Sequence, residues 1–430
     1  MVNYKKSIGA LLGNAMQFYD FTLYAFLAPH IRESFFTFDN RYLSYLMVFG
    51  IFACGYLARP IGALLFGFIG DKKGRSYSLS ITIIIATMAT FMIGLIPNYN
   101  TIGFLSPILL LCFRLLQGVA VSGEEGSAVV LLFEKYAFNN ERIIGACVLS
   151  SVCVGLLLGT TICALIELLI LHQILPNWGW RLPFLMALPL GGIATYLRYY
   201  LNDFTLFSRA EKNNLLYKIP IHILFVGYRF SIIYSFFIVA AYSVITSTII
   251  VHIPYMLVEL VGFNNSESLL ILIIAIVLMM LLTPIFGKFF EKSPIFSVYR
   301  LSLIITIALV PYLFYLISLG NLLLAIISIA IFSILTSMIS STIFALLVRK
   351  FPYGIRCSGV SLSLNLSITT FSSTTPIALI FIEHHYSLVY ASGFYIAALL
   401  SIFLLIISIL DKFDSVNYPE GCHEHLLYNL

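Results

Sequence analysis

The sequence predicts an all-α integral membrane protein whose twelve transmembrane helices form two pseudo-symmetric six-helix bundles. Three observations carry that prediction. Of the 430 residues, 60% are hydrophobic and only 10% are charged, whereas soluble domains hold about 45–50% apolar and about 25% charged residues. Apolar runs such as 269–280 and 322–335 are almost uninterrupted, unlike the apolar–polar alternation of a transmembrane β-barrel. Finally, lysine and arginine fall on one set of alternating loops.

A helix crossing the hydrocarbon core needs about 20 mostly apolar residues. On that ruler the first half holds spans 1 to 6 at 8–29, 43–69, 78–97, 103–133, 143–166 and 182–201. A polar linker, 202–222, follows. Spans 7 to 12 lie at 223–256, 268–287, 299–319, 321–348, 357–382 and 388–410, before a short tail, 411–430. The expected domains are therefore 1–201 and 223–410. With both termini inside, eighteen Lys and Arg lie on the cytoplasmic side and three (Arg32, Arg41 and Arg181) on the external side. That bias follows the positive-inside rule and supports an even number of spans. Arg59, Arg114 and Arg229 lie within spans.

The two halves resemble each other. Gly67-Phe68-Ile69-Gly70-Asp71-Lys72 ends span 2, and Gly287-Lys288-Phe289-Phe290-Glu291-Lys292 ends span 8. Each places a glycine four residues before an acid, followed by a lysine, at the same point of its half. Duplicated six-helix units are the signature of transporters with a central site.

Composition excludes several classes. A net charge of +5 is too small to indicate nucleic acid. The seven cysteines include no CxxC pair, and most sit in apolar runs where a thiol acts as a small hydrophobe. Cys422, His423 and His425 do not make a closed four-ligand zinc set, and Glu383-His384-His385 reads as an aqueous surface loop. No metal or cofactor is expected. Asp20 interrupts the first apolar stretch, so no cleavable signal peptide is expected. No Walker motif is present, which disfavours ATP-driven pumping.

Charges inside spans are expensive and mark candidate machinery. Gly13, Gln17, Asp20 and Tyr24 fall at i, i+4, i+7 and i+11, one face of span 1. A polar stripe there should face a cavity, where Asp20 can exchange a proton or else bond a neighbouring helix. Span 4 carries Arg114, Gln117, Glu124 and Glu125. Arg114 and Glu125 lie about 20° apart around the helix and about 16 Å along it, so they need separate partners. Arg114 offers a planar fork for a substrate carboxylate, or an ion pair with Asp20 or Glu124. Glu124 is a second proton-site candidate, and Glu125 is expected to reach cytoplasmic water. Phe18, Tyr19 and Tyr24 could hold a quaternary ammonium group on their ring faces. Arg59 precedes Pro60, which removes a helix hydrogen bond and bends span 2; Arg59 is expected to pair or to act in conformational change. In span 11, Ser358, Ser361, Asn365 and Ser372 share a polar face, of which Asn365 is a site candidate. Gly155 and Gly159 of span 5 read as a close packing contact.

The motifs also resemble a known family. Gly70-Asp71-Lys72-Lys73-Gly74-Arg75 is similar to the loop that marks the major facilitator superfamily. Arg59-Pro60-Ile61-Gly62, Tyr19-Asp20-Phe21, Arg114-Leu115-Leu116-Gln117-Gly118 and Trp178-Gly179-Trp180-Arg181 resemble its metabolite:proton symporter branch, and within it the proline/betaine transporters. The resemblance implies a major facilitator fold in the plasma (inner) membrane. It implies a proton-coupled symporter importing a small zwitterionic or carboxylate solute, with proline or glycine betaine favoured. A dicarboxylate cargo and a non-transporting sensor are the alternatives. The same resemblance assigns Asp71, Arg75 and Glu134 to an inner gate, with Asp71 near the first amides of span 11. Departures stand out as well. Gln17 replaces a glutamate usual in the family, Ser372-Ser373 replaces a glycine pair, and the tail shows no heptads for a coiled coil.

Overall fold

The computed structural model describes residues 4–36, 41–136, 140–199, 217, 220–386, 388 and 390–417. Among them no strand occurs. Ten helices are long and apolar enough to cross a membrane, and Tyr4–Phe26 and Leu182–Tyr199 complete the twelve. Most of the linker and the tail's Cys422, His423 and His425 lie outside the described residues.

The first half follows the expected order. Span 1 is Tyr4–Phe26, and Pro29 then starts a short separate helix, Ala28–Phe35. Span 2 breaks at Ala58 into Arg41–Leu57 and Arg59–Lys73. The break is a bend and not an interruption, because the amides of Ala58 and Gly62 still bond Cys54 O and Ala58 O at 3.1 and 3.2 Å. Spans 3 to 6 are Arg75–Leu95, Leu105–Tyr136, Glu141–Leu171 and Leu182–Tyr199.

In the second half, span 7 begins with Pro220–Gly227 and continues as Arg229–Ser247. Two wide π-helical turns, Thr248–His252 and Leu257–Val261, flank Ile253–Met256. The span stops at Gly262, whose φ of 87° suits glycine. Spans 8, 9 and 10 are Asn265–Phe289, Ile295–Ser318 and Leu322–Arg349. Span 11 runs from Arg356–Ser367 through a π turn, Ile368–Ser372, to Ser373–Tyr386, and span 12 is Ala391–Asn417.

By packing, the chain divides into two compact units. One contains Met1–Leu131 and Ser151–Ser208; the other contains Leu132–Ser150 and Arg209–Leu430. Segment 132–150, where span 4 turns into span 5, therefore groups with the second unit, because Glu134, Glu141 and Arg142 find their partners there. The core of the first unit joins Tyr19, Leu23, Tyr24, Phe35, Trp180 and Phe184. Large apolar side chains such as Leu57, Ile61, Ile84 and Phe381 are exposed, as lipid-facing positions should be. Ser, Thr and charged residues are instead found inside.

Candidate functional site

The polar stripe of span 1 is buried: Gln17, Asp20 and Tyr24 are each at most 5% exposed. Beside it lies Arg114 of span 4, fully buried. Its guanidinium sits over the rings of Tyr24 and Phe52, 4.4 and 4.9 Å from their centroids. Arg114 Nη1 donates to Gln117 Oε1 at 2.8 Å, and Gln117 Nε2 donates to Thr90 Oγ1 at 2.6 Å. Thr90 of span 3 also neighbours Asp20. Asp20 makes no ion pair with Arg114, although each lies in the other's field. A buried cation needs compensation, and here two ring faces and an amide oxygen supply part of it.

Two side chains on this face keep unused hydrogen-bonding capacity. Neither Nε2 nor Oε1 of Gln17 has a partner, and Asp20 Oδ1 has none. Buried polar groups are nearly always bonded, so a donor and two acceptors left over on one helix face make this stripe the candidate binding surface. The sequence singled out Gln17 as a departure from a family pattern. Only packing reveals that its amide is unsatisfied.

Glycines bring these elements together. A Cβ on Gly118 would lie 2.0 Å from Gly55 O, so spans 2 and 4 touch backbone to backbone beside Arg114. A Cβ on Gly155 would lie 2.1 Å from Ala15 O, which seats span 5 directly on span 1. Asn14 of span 1 then donates to Ser151 Oγ at 2.9 Å.

The two candidate tyrosines have different surroundings. Tyr19 is in the core, its hydroxyl donating to Pro183 O at 2.9 Å and tying span 1 to span 6. The Tyr24 hydroxyl donates to Val48 O at 3.0 Å, and its ring carries the Arg114 guanidinium.

A second polar group lies further along span 4. Thr82 of span 3 donates to Glu124 Oε2 at 2.8 Å. Glu125 is buried and in the field of Arg59, whose guanidinium is 4.6 Å from the Tyr56 ring centroid. The expectation that Glu125 reaches water is therefore corrected. Cβ atoms on Gly62 and Gly123 would collide with Val119 O at 2.1 Å and Phe66 Cβ at 2.3 Å. Contact that close lays the bent half of span 2 over this turn and covers the carboxylate.

The loop between spans 2 and 3 is compact. Arg75 Nη2 lies 3.7 Å from Asp71 Oδ1, and Nη1 donates to Gly70 O at 3.1 Å. Gly74 has φ 100°, a conformation that explains the glycine of the motif. Glu134 lies 3.6 Å from Arg356 at the start of span 11, within the second unit. In that unit Glu291 accepts from the backbone amides of Arg142 and Ile143, both at 3.2 Å, at the first turn of span 5. A carboxylate there faces the positive end of the helix dipole. Arg142 donates to the carbonyls of Phe290 and Ser293, and Arg349 donates to Glu141 at 2.7 Å. The contacts of Glu141, Arg142, Glu291 and Arg349 are not apparent in the sequence alone. The repeated glycine–acid motif ending span 8 was the signal for Glu291.

In span 11, Asn365 is buried and donates to Ser361 O of its own helix at 2.9 Å. Glu383, expected in an aqueous loop, is buried against His252. The helix continues to Tyr386, so the carboxylate is carried into the packed unit.

Comparison with known proteins agrees with this architecture. The model of the Major Facilitator Superfamily matches residues 10–362. The glycine betaine/proline/ectoine/pipecolic acid transporter OusA of Dickeya dadantii is 30% identical, covering 93% of this chain and 82% of its own. The proline/betaine transporter of Escherichia coli K12 is 30% identical, covering 88% and 78%. Among solved structures, the proton:xylose symporter XylE superposes with a TM-score of 0.76 at 15% identity, over 94% of this chain and 95% of that one. That likeness bears on the fold alone. With a family model spanning most of its length and, among the described residues, ten helices long and apolar enough to cross a membrane, this chain is a multi-pass membrane protein that belongs to the Major Facilitator Superfamily.

Proposed function

We propose that the protein is a proton-coupled symporter that imports a small zwitterionic solute, glycine betaine or proline, by alternating access. It works in the plasma (inner) membrane with both termini cytoplasmic, and six-helix bundles 1–201 and 223–410 are its moving parts. One observation carries the reading: a buried guanidinium beside a helix face whose amide and carboxylate have hydrogen-bonding capacity left over. The names of the relatives, which are transporters of these solutes, support the cargo.

Each residue has a role in this reading. Arg114 takes the solute carboxylate on its planar fork, and Tyr24 and Phe52 position the guanidinium. Gln17 offers one donor and one acceptor to the solute. Asp20 carries the coupled proton, with Glu124 as a second carrier. Because the Tyr24 ring is occupied by Arg114, the solute ammonium is answered by the Asp20 and Gln17 oxygens, and Tyr19 keeps span 1 in place. Arg59 pairs with Glu125 across the bend of span 2. Asp71 and Arg75 set the shape of their loop, while Glu134 with Arg356 and Glu291 with Arg142 latch the cytoplasmic ends.

Proteoliposomes under an inward proton gradient test the proposal. The wild type should concentrate labelled glycine betaine or proline, and Asp20→Asn should abolish accumulation. Equilibration without accumulation would replace the symporter with a facilitator. Stronger competition by dicarboxylates than by proline would change the cargo. Absence of flux for every organic solute tried would leave a non-transporting sensor.

A further inference from the structure

The second unit buries a titratable pair that the transport site does not use. His252, the last residue of the π turn Thr248–His252 in span 7, meets Glu383 of span 11, with Nε2 3.0 Å from Oε1. Their side chains are 0% and 2% exposed. Ser392, in the first turn of span 12, donates to the same Oε1 at 2.6 Å. Phe314 of span 9 stacks on the imidazole with centroids 6.4 Å apart, and the Tyr255 ring lies at the same centroid distance, tilted by 39°. His252 Nδ1 and Glu383 Oε2 have no hydrogen-bond partner.

The titratable groups on the surrounding elements do not answer this pair. Tyr255 makes only a ring contact, and Glu259 of span 7 is exposed. On span 8, Glu267 accepts from the Asn264 amide. Tyr315 of span 9 packs on Tyr390, before span 12, whose own nearest titratable group is the half-buried Tyr395. His384 and His385 on span 11 are exposed, and His385 stacks on Phe381. No arginine or lysine is paired with Glu383 among the described residues.

Charge counting then limits the states of the pair. A neutral imidazole beside a carboxylate carries one net negative charge, answered by the imidazole N–H and one serine hydroxyl but by no cation among the described residues. An isolated buried charge of that kind is strongly disfavoured. One added proton makes the pair neutral, whether it resides on the imidazole or on the carboxyl group. Admitting water to the two groups hydrates the carboxylate, removes the cost of its charge and lets that proton leave. The local backbone is irregular where such a shift would occur: π turns interrupt the α-helical ladder and concentrate at functional sites. Pro254, two residues on, has no amide to bond the preceding turn.

We propose that His252, Glu383 and Ser392 form a second proton-binding site, held in the second unit and separate from Asp20 and Glu124. The site is loaded as packed here and unloads when spans 7 and 11 shift. This inference rests on the reading of the protein as a proton-coupled symporter.

Proteoliposomes carrying full-length protein separate the two claims. If the wild type fails to accumulate labelled glycine betaine or proline under an inward proton gradient, the symporter reading fails first. With a working wild type, Glu383→Gln and His252→Gln should each lower gradient-driven accumulation at least tenfold. Both should retain solute exchange at equal pH within about threefold, because exchange needs no net proton release. The double variant, an amide pair that can still bond across the two spans, should remain uncoupled in the same way. Wild-type accumulation with an unchanged pH profile in the single variants would overturn the proposal. So would equal loss of accumulation and exchange, or full recovery of coupling in the double variant, either of which marks a purely structural tether.

Discussion

The two units bury polar atoms in different ways. In the first, spans 1, 2 and 4 bury Asp20, Arg59, Arg114, Glu124 and Glu125, charged side chains that their own helices satisfy at most in part. In the second, many buried polar groups are hydroxyls that bond back to the helix carrying them. Thr248 donates to Val244 O, Ser302 to Val298 O, Thr306 to Ser302 O and Thr336 to Phe332 O, all at 2.7–2.8 Å. A hydroxyl bonded four residues back is almost self-contained and asks nothing of a ligand. A buried guanidinium or carboxylate must find partners on other helices or in the cargo. In the proposed reading the contrast assigns solute chemistry to the first unit; in the second, the buried hydroxyls serve helix packing, and the buried charges among the described residues are Glu134, Arg142 and Arg356 together with the His252–Glu383 pair.

Three substitutions can break or sharpen that contrast. Arg114→Ala should have the largest effect, lowering initial solute uptake by two orders of magnitude or more. Removing one member of a buried hydrogen-bonded charge network costs about 2–5 kcal/mol, and uptake in matched proteoliposomes measures it. Gln17→Ala comes next. It should raise the KM for solute by roughly five- to tenfold, the value of about one hydrogen bond. Its melting temperature in detergent should not fall, because the Gln17 amide makes no bond within the protein. Asn365→Ala should matter least, changing uptake by less than about twofold, since its amide bonds its own helix. If Asn365→Ala were as damaging as Arg114→Ala, solute recognition would belong to both units.

The elements were legible in the sequence, and much of the site was not. Runs of apolar residues and the Arg59-Pro60 pair announce spans and a bend, because hydrophobic length and a missing amide act locally. Asp20 and Arg114 were legible for a related reason: a charge in the middle of an apolar run has few bland explanations. Near the end of a run that logic fails. Glu125 and Glu383 look like residues about to reach water, yet each is covered by another element: the second by span 7, the first by the bent half of span 2. Tyr19 and Tyr24 are equally aromatic and equally near Asp20 in the chain. One hydroxyl is tied to Pro183 in the core while the other ring supports a guanidinium. Those outcomes are set by neighbours far apart in the chain, which periodicity does not reveal.

The π turns of spans 7 and 11 have a consequence for how this chain can change over generations. A wide turn lodges one extra residue in a helix, which rotates everything beyond it by about 100° relative to an unbroken α-helix. Thr248–His252 therefore acts as a phase shift in span 7. Loss of one residue there would leave the helix continuous while swinging the imidazole away from Glu383. Helices are usually intolerant of insertions and deletions, but these turns are places where a single-residue change in length re-aims one end of a span and leaves the other end in register.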